Sequence, residues 1–219
     1  MSDAGEPRGG AFVVFEGIDG AGTTTQAALY AARLRARRRL VHVTNEPSGG
    51  PIGSLIRQVL RHRVAMPSGR QPDTMALLFA ADRLDHLGSE IEPCLREGYV
   101  VLSDRYDLSS LAYQATTGAG GARELAEMVA WIRELNRHAL RPDATIVLDV
   151  SPEVAATRRD KRGGPRDLYE TTELQARLAE VYRRAEDLTP GDRVIHLDGE
   201  APVSAVTDAI EAALAPIVG

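Results

Sequence analysis

The chain has 219 residues and a mass of 23.6 kDa, is 43% hydrophobic and 26% charged, and carries a net charge of −5. That composition fits one globular domain of α/β size and excludes a disordered chain and a generic nucleic-acid binder. A single cysteine, Cys94, rules out a disulfide framework and a cysteine-based zinc site; five scattered histidines form no short metal motif, and no apolar run reaches the roughly 20 residues of a membrane span.

Residues 1–10 are small and polar and lack a signal-peptide core, so a flexible start and a cytoplasmic protein are expected. An apolar run over 11–16 (AFVVFE) predicts a buried strand. Residues 24–39 predict a helix with Ala28, Leu29, Ala32 and Ala36 at helical spacing and a basic end that complements the helix dipole. A strand over 40–44 and a helix over 51–61 follow, the latter opened by Pro51. Residues 73–97 predict one long helix capped by Asp73 or Thr74, and 99–103 (YVVLS) a third strand. Helices are predicted over 107–116 and 123–140, and a strand over 145–150 (TIVLDV). Pro152 opens another helix, and the basic stretch 158–166 reads as a loop. A helix over 171–188, a strand over 193–197 and a helix over 202–214 complete the chain. Strands alternating with helices imply a three-layer α/β/α domain around a five-stranded parallel sheet. No linker, repeat or low-complexity tract divides residues 1–219.

The segment Gly17-Ile18-Asp19-Gly20-Ala21-Gly22-Thr23-Thr24, continued by Thr25, lies between the first strand and the first helix. Its glycines let backbone N–H groups wrap an anion at a helix N-terminus, and the Thr24 hydroxyl is placed to ligate Mg²⁺. The full phosphate-loop pattern requires lysine where Thr23 stands. Losing one preorganised donor to a developing oxyanion costs about 3–4 kcal/mol, so a replacement cation is needed for fast turnover. The 158–166 stretch offers Arg158, Arg159, Lys161, Arg162 and Arg166, where Lys161 is the single lysine beside 25 arginines. A solvated basic surface is the alternative reading of that stretch, and the neighbouring phosphate loop weighs against it.

Four segments together resemble the bacterial thymidylate kinases, P-loop nucleoside monophosphate kinases, over about residues 12–214. They are FEGIDGAGTTTQ (15–26), TNEPSGGPIGSLIR (44–57), LLFAADRLDH (77–86) and SDRYDLSSLAYQ (103–114). The resemblance implies ATP:dTMP phosphoryl transfer in a homodimer, with a lid at about 157–170. It implies that Phe79 stacks on thymine and Arg83 donates to a thymine carbonyl, although core packing would also explain Phe79. Arg57 and Arg105 would grip the acceptor phosphate, with Asp104 near Mg²⁺ and the transferring group. Ser110, Tyr113 and Gln114 would meet the base edge and deoxyribose. Asp19 would lie near the acceptor sugar and phosphate, and Glu46-Pro47 would line the acceptor pocket. The resemblance also implies a lid arginine among Arg158, Arg162 and Arg166, which with Lys161 are the candidates to replace the missing lysine. Asn45 departs from the family's usual arginine. A kinase of another nucleoside monophosphate and a nucleotide binder without turnover remain as alternatives. Asp149 would sit near the metal site or simply enter a helix turn. The apolar positions of 73–97 and 107–116 would supply a dimer interface.

Overall fold

The computed structural model describes residues 9–119, 122–163 and 171–219. In chain order the elements are β1 (Ala11–Glu16), α1 (Thr23–Ala36), β2 (Val41–Asn45), α2 (Pro51–Leu60), α3 (Gln71–His86), α4 (Glu92–Arg96), β3 (Val100–Asp104), α5 (Asp107–Gly118), α6 (Ala122–Leu135), β4 (Ala144–Asp149), α7 (Pro152–Arg162), α8 (Thr172–Tyr182), α9 (Ala185–Leu188), β5 (Val194–Asp198) and α10 (Val203–Val218). The strands pair in the order β2-β3-β1-β4-β5, all parallel. The predicted fold class and strand count are therefore observed. Side chains of β1 alternate between two cores: Val13 and Phe15 pack with α1 and α10, while Phe12 and Val14 pack with Leu87, Ile91 and Leu95. Each strand ends in a polar residue (Glu16, Asn45, Asp104, Asp149, Asp198), so these polar ends gather at the carboxyl edge of the sheet.

Several element boundaries differ from the expectation, each for a local reason. Helix α1 stops at Ala36 because Arg38 takes a left-handed conformation (φ 62°) and Arg39 N donates back to Leu34 O. Its buried face is Gln26, Ala27, Tyr30, Ala31 and Leu34, one step out of phase with the expected Ala28, Leu29, Ala32 and Ala36. The long helix expected over 73–97 starts at Gln71 and is interrupted by a π-helical turn, Leu87–Ile91. Pro93 lacks an N–H and would clash with a carbonyl of a regular helix, and the wider turn before it relieves that conflict. Helix α6 ends at Leu135, where Asn136 folds its Nδ2 back onto Ile132 O. The helix expected over 171–188 divides at Arg183 and Arg184. Residues 158–162, expected in a loop, form the end of α7. Residues 164–170 of the expected lid, including Arg166, and residues 1–8 lie outside the described residues. The apolar side chains of α5 are buried within the monomer. Among the described residues no helix is long and apolar enough to cross a membrane.

Candidate active site

Two clefts open at the carboxyl edge of the sheet. The first is the groove around the glycine-rich turn. Ala21 N donates to Ile18 O at 2.9 Å, and α1 starts without a side-chain cap, leaving its first-turn N–H groups for an anion. Gly20 has φ +93°, and a Cβ there would lie 2.5 Å from Ala155 O, so the turn depends on a bare backbone. The groove is lined by residues 19–26 together with Asp104, Arg105, Arg158, Arg159 and Lys161. Arg158 donates to Ala21 O at 3.1 Å and to Gly199 O at 2.9 Å, which fixes its guanidinium against the turn. Arg159 donates to Asp19 O. The side chain of Arg162 lies outside the described set. Thr24 Oγ1 donates to Asp104 Oδ2, and Asp104 Oδ1 is buried without a hydrogen-bond partner. A hydroxyl and a carboxylate with one free, buried oxygen are a hard-oxygen pair that fits Mg²⁺. Asp149 is instead engaged with His196, whose Nδ1 lies 2.9 Å from Asp149 Oδ2.

The second cleft is lined by Asp19, Glu46, Pro47, Leu60, Phe79, Arg105, Tyr106, Ser109, Ser110, Tyr113 and Gln114. It shares Asp19 and Arg105 with the first, so these two residues mark where the clefts meet. Arg105 occupies the left-handed region (φ 76°), a strained conformation for a non-glycine residue. Its guanidinium is tied to Asp19 Oδ1 (2.5 Å), Gly17 O (3.1 Å), Ser109 Oγ (3.1 Å) and Tyr182 OH (3.3 Å), and lies 5.2 Å from the Tyr113 ring centre. Burial holds the Tyr113 phenol above its ordinary range, so it stays neutral. The Glu46-Pro47 bond is cis.

Not every expected residue reaches the second cleft. Arg57 donates to Pro47 O at 2.8 Å and to Ser54 Oγ at 3.3 Å, behind the lining. Asn45, which replaces the usual arginine, donates to the same Pro47 carbonyl at 2.8 Å. Arg83 is fully buried under the cleft, bonded to Glu46 Oε2 (2.6 Å), Asn136 Oδ1 (2.6 Å) and Ser110 Oγ (3.3 Å). Sequence reasoning missed Gln175, which is buried and accepts from Asp19 N at 3.1 Å while its Nε2 reaches Asp19 Oδ2 at 3.4 Å. The signal was available, because Gln175 is a polar residue on the same stripe of α8 as buried Leu178 and Tyr182.

An anion cradle and an aromatic-walled cleft that meet at an Asp–Arg pair suit transfer between two phosphorylated substrates. Known proteins agree with that arrangement. Thymidylate kinase of Thermomicrobium roseum is 41% identical over 212 residues, covering 94% of this chain and 95% of that protein. A protein of Pyrobaculum aerophilum named "Probable thymidylate kinase" is 43% identical over 183 residues, covering 82% of this chain and 86% of that protein. Residues 15–210 match the family described as Thymidylate kinase, and the chain belongs to that family.

Proposed function

We propose that the protein transfers the γ-phosphoryl group of ATP to dTMP, giving ADP and dTDP for dTTP synthesis. The observation that carries this reading is the junction of the two clefts at Asp19 and Arg105. A nucleotide in each cleft would bring donor and acceptor phosphates to that junction. The acceptor phosphate monoester is already an anionic nucleophile, so the work left to the protein is positioning and charge stabilisation. The turn at residues 17–25 would bind the donor phosphates through backbone N–H groups. Thr24 and Asp104 are the residues that would hold Mg²⁺, which when bound screens the donor phosphate charge. Phe79 would stack on the base, with Ser110, Tyr113 and Gln114 at the base edge and sugar. Arg57 and Arg105 would hold the acceptor phosphate, and Arg83 would donate to a base carbonyl from below.

The missing loop lysine is replaced, on this reading, by a cation of α7 or the segment after it. Arg158 is the strongest candidate among the described residues, because its bond to Ala21 O holds it against the glycine-rich turn, where donor phosphates would lie on this reading. Lys161, which lines the groove, is a further candidate, and Arg162 and Arg166 are the remaining lid candidates. Thr23 also supports a second reading, a nucleotide binder without turnover. ADP release coupled to a detecting reaction, with ATP, Mg²⁺ and dTMP, separates the two. Rapid release that requires dTMP is expected, and its absence with purified protein overturns the enzymatic reading. A panel of other nucleoside monophosphates is expected to give much slower release. We further infer a cytoplasmic homodimer, supported by the exposed Leu77 and Leu84 one heptad apart on α3.

A further inference from the structure

Thr44, Glu46 and Ser48 alternate along the chain at the end of β2, and all three engage α3. Ser48 N donates to Asp82 Oδ2 at 2.7 Å and Ser48 Oγ to Asp82 Oδ1 at 2.6 Å. Arg83 donates to Glu46 Oε2 at 2.6 Å. His86, one turn further, places Nε2 2.8 Å from Thr44 Oγ1 and Nδ1 3.5 Å from Glu46 Oε1. Glu46, Asp82, Arg83 and His86 are all buried. Among the described residues neither Glu46 Oε1 nor His86 Nδ1 has a hydrogen-bond partner, and the two lie within ion-pair range of each other.

Glu46 therefore lies between two basic groups, the guanidinium beneath the second cleft and the imidazole on the opposite side. Arg83 spends Nη1 on Asn136 and Nη2 on Glu46 and Ser110. With a neutral imidazole, Glu46 and Arg83 cancel each other's charge. With an imidazolium, the carboxylate is shared, and Arg83 keeps positive potential for an oxygen above it. We propose that His86 is a positioning residue for the acceptor base: it draws Glu46 back from Arg83 and so frees that guanidinium for a thymine carbonyl. The inference rests on the assignment of the second cleft to dTMP.

The groups that face His86 are Thr44 and Glu46 from β2 and its exit, Asp82 and Arg83 from α3, and Glu90 from the π turn, 3.7 Å from Nε2. Glu90 is in turn held by His42 at 2.7 Å. Burial lowers the proton affinity of His86, but Glu46, Glu90 and Asp82 more than offset this and hold it above its ordinary value. The imidazolium persists at low pH and is lost as pH rises through that raised value.

Thymidine is the probe, because it carries the base without a phosphate that titrates. Calorimetric Kd values for the whole protein are compared between about pH 6 and about pH 9. Wild-type affinity is expected to weaken by about threefold or more over this range. In His86→Asn the side chain is neutral at every pH, so a flat profile is expected, at the weaker affinity that wild type reaches near about pH 9. In His86→Leu the KM for dTMP is expected to rise by about tenfold, with kcat and the KM for ATP changing less than about twofold. A flat wild-type profile overturns the inference. A wild-type slope that survives in His86→Asn assigns the titration to another group, such as Glu16, and also overturns it. Should His86→Leu fail to fold, the comparison of wild type with His86→Asn decides. Absence of thymidine binding at every pH overturns this inference together with the cleft assignment. Sloped binding without turnover overturns only the kinase activity.

Discussion

Glu16 ends β1 and is fully buried, yet it accepts four hydrogen bonds: from Tyr106 N (2.8 Å), Ser109 N (3.1 Å), Ser109 Oγ (2.6 Å) and Tyr182 OH (3.0 Å). Helix α5 has no side-chain cap of its own, so this carboxylate caps it from a neighbouring strand. Burial raises the Glu16 pKa from 4.5 to about 7, against the lowering pull of Arg105 and the donors. Between those values the folded chain binds one proton more than the unfolded chain. Stability from this group is therefore fully present below 4.5 and falls by about 1.4 kcal/mol per pH unit until about 7. Glu16→Gln is expected to remove that slope, read as melting temperature at several pH values, while destabilising the fold by about 1–3 kcal/mol because its amide N–H meets other donors. Nearer the chemistry, Arg158→Ala is expected to lower kcat by more than about tenfold, equivalent to about 1.4 kcal/mol, with the KM for dTMP within about twofold. An unchanged kcat would move the replacement of the loop lysine to another cation. Asp19, Glu46, Pro47 and Arg105 were legible in the sequence because they fall in short motifs just after strand ends, whereas Leu60, Tyr106 and Ser109 also line the second cleft and were not expected there. Supporting residues were not legible either: Asn136, Gln175 and Tyr182 lie far along the chain from the side chains they hold, and only the fold brings them together.

At the scale of elements, the sheet was readable because each strand is a short apolar run with a polar end. Helix limits were less so. Arg38 in a left-handed conformation ends α1 without the glycine that usually signals such a stop, and Pro93 permits helix on both sides of it only through the π turn. The contact between α2 and the segment after β2 is set by Gly53. A Cβ there would lie 2.2 Å from Ser48 O and 2.9 Å from Asp82 Oδ1, both rigidly held. Gly53→Ala is expected to push α2 outward, costing about 1–3 kcal/mol in denaturant unfolding and raising the KM for dTMP several-fold. A wild-type melting curve and KM would show that the segment can yield.

At the scale of the molecule, the parallel sheet gathers both clefts at one edge, while α3 keeps two large apolar side chains uncovered. Leu77 and Leu84 are 50% and 45% exposed, against the near-complete burial of α5. Wild-type protein is expected to sediment at twice the 23.6 kDa chain mass. The double substitution Leu77→Glu, Leu84→Glu is expected to give the monomer, since carboxylates at a buried interface carry a heavy desolvation cost. A monomeric wild type would assign those leucines to the solvated surface instead.

The amine chemistry of the chain is also set by its fold. Lys161 is the single lysine in the sequence and it lines the groove at the glycine-rich turn. Acylating dyes, biotin esters and covalent coupling to a sensor chip thus find one side-chain target, and on the proposed reading it sits where the triphosphate would bind. Immobilisation through maleimide or an affinity tag leaves that mouth open.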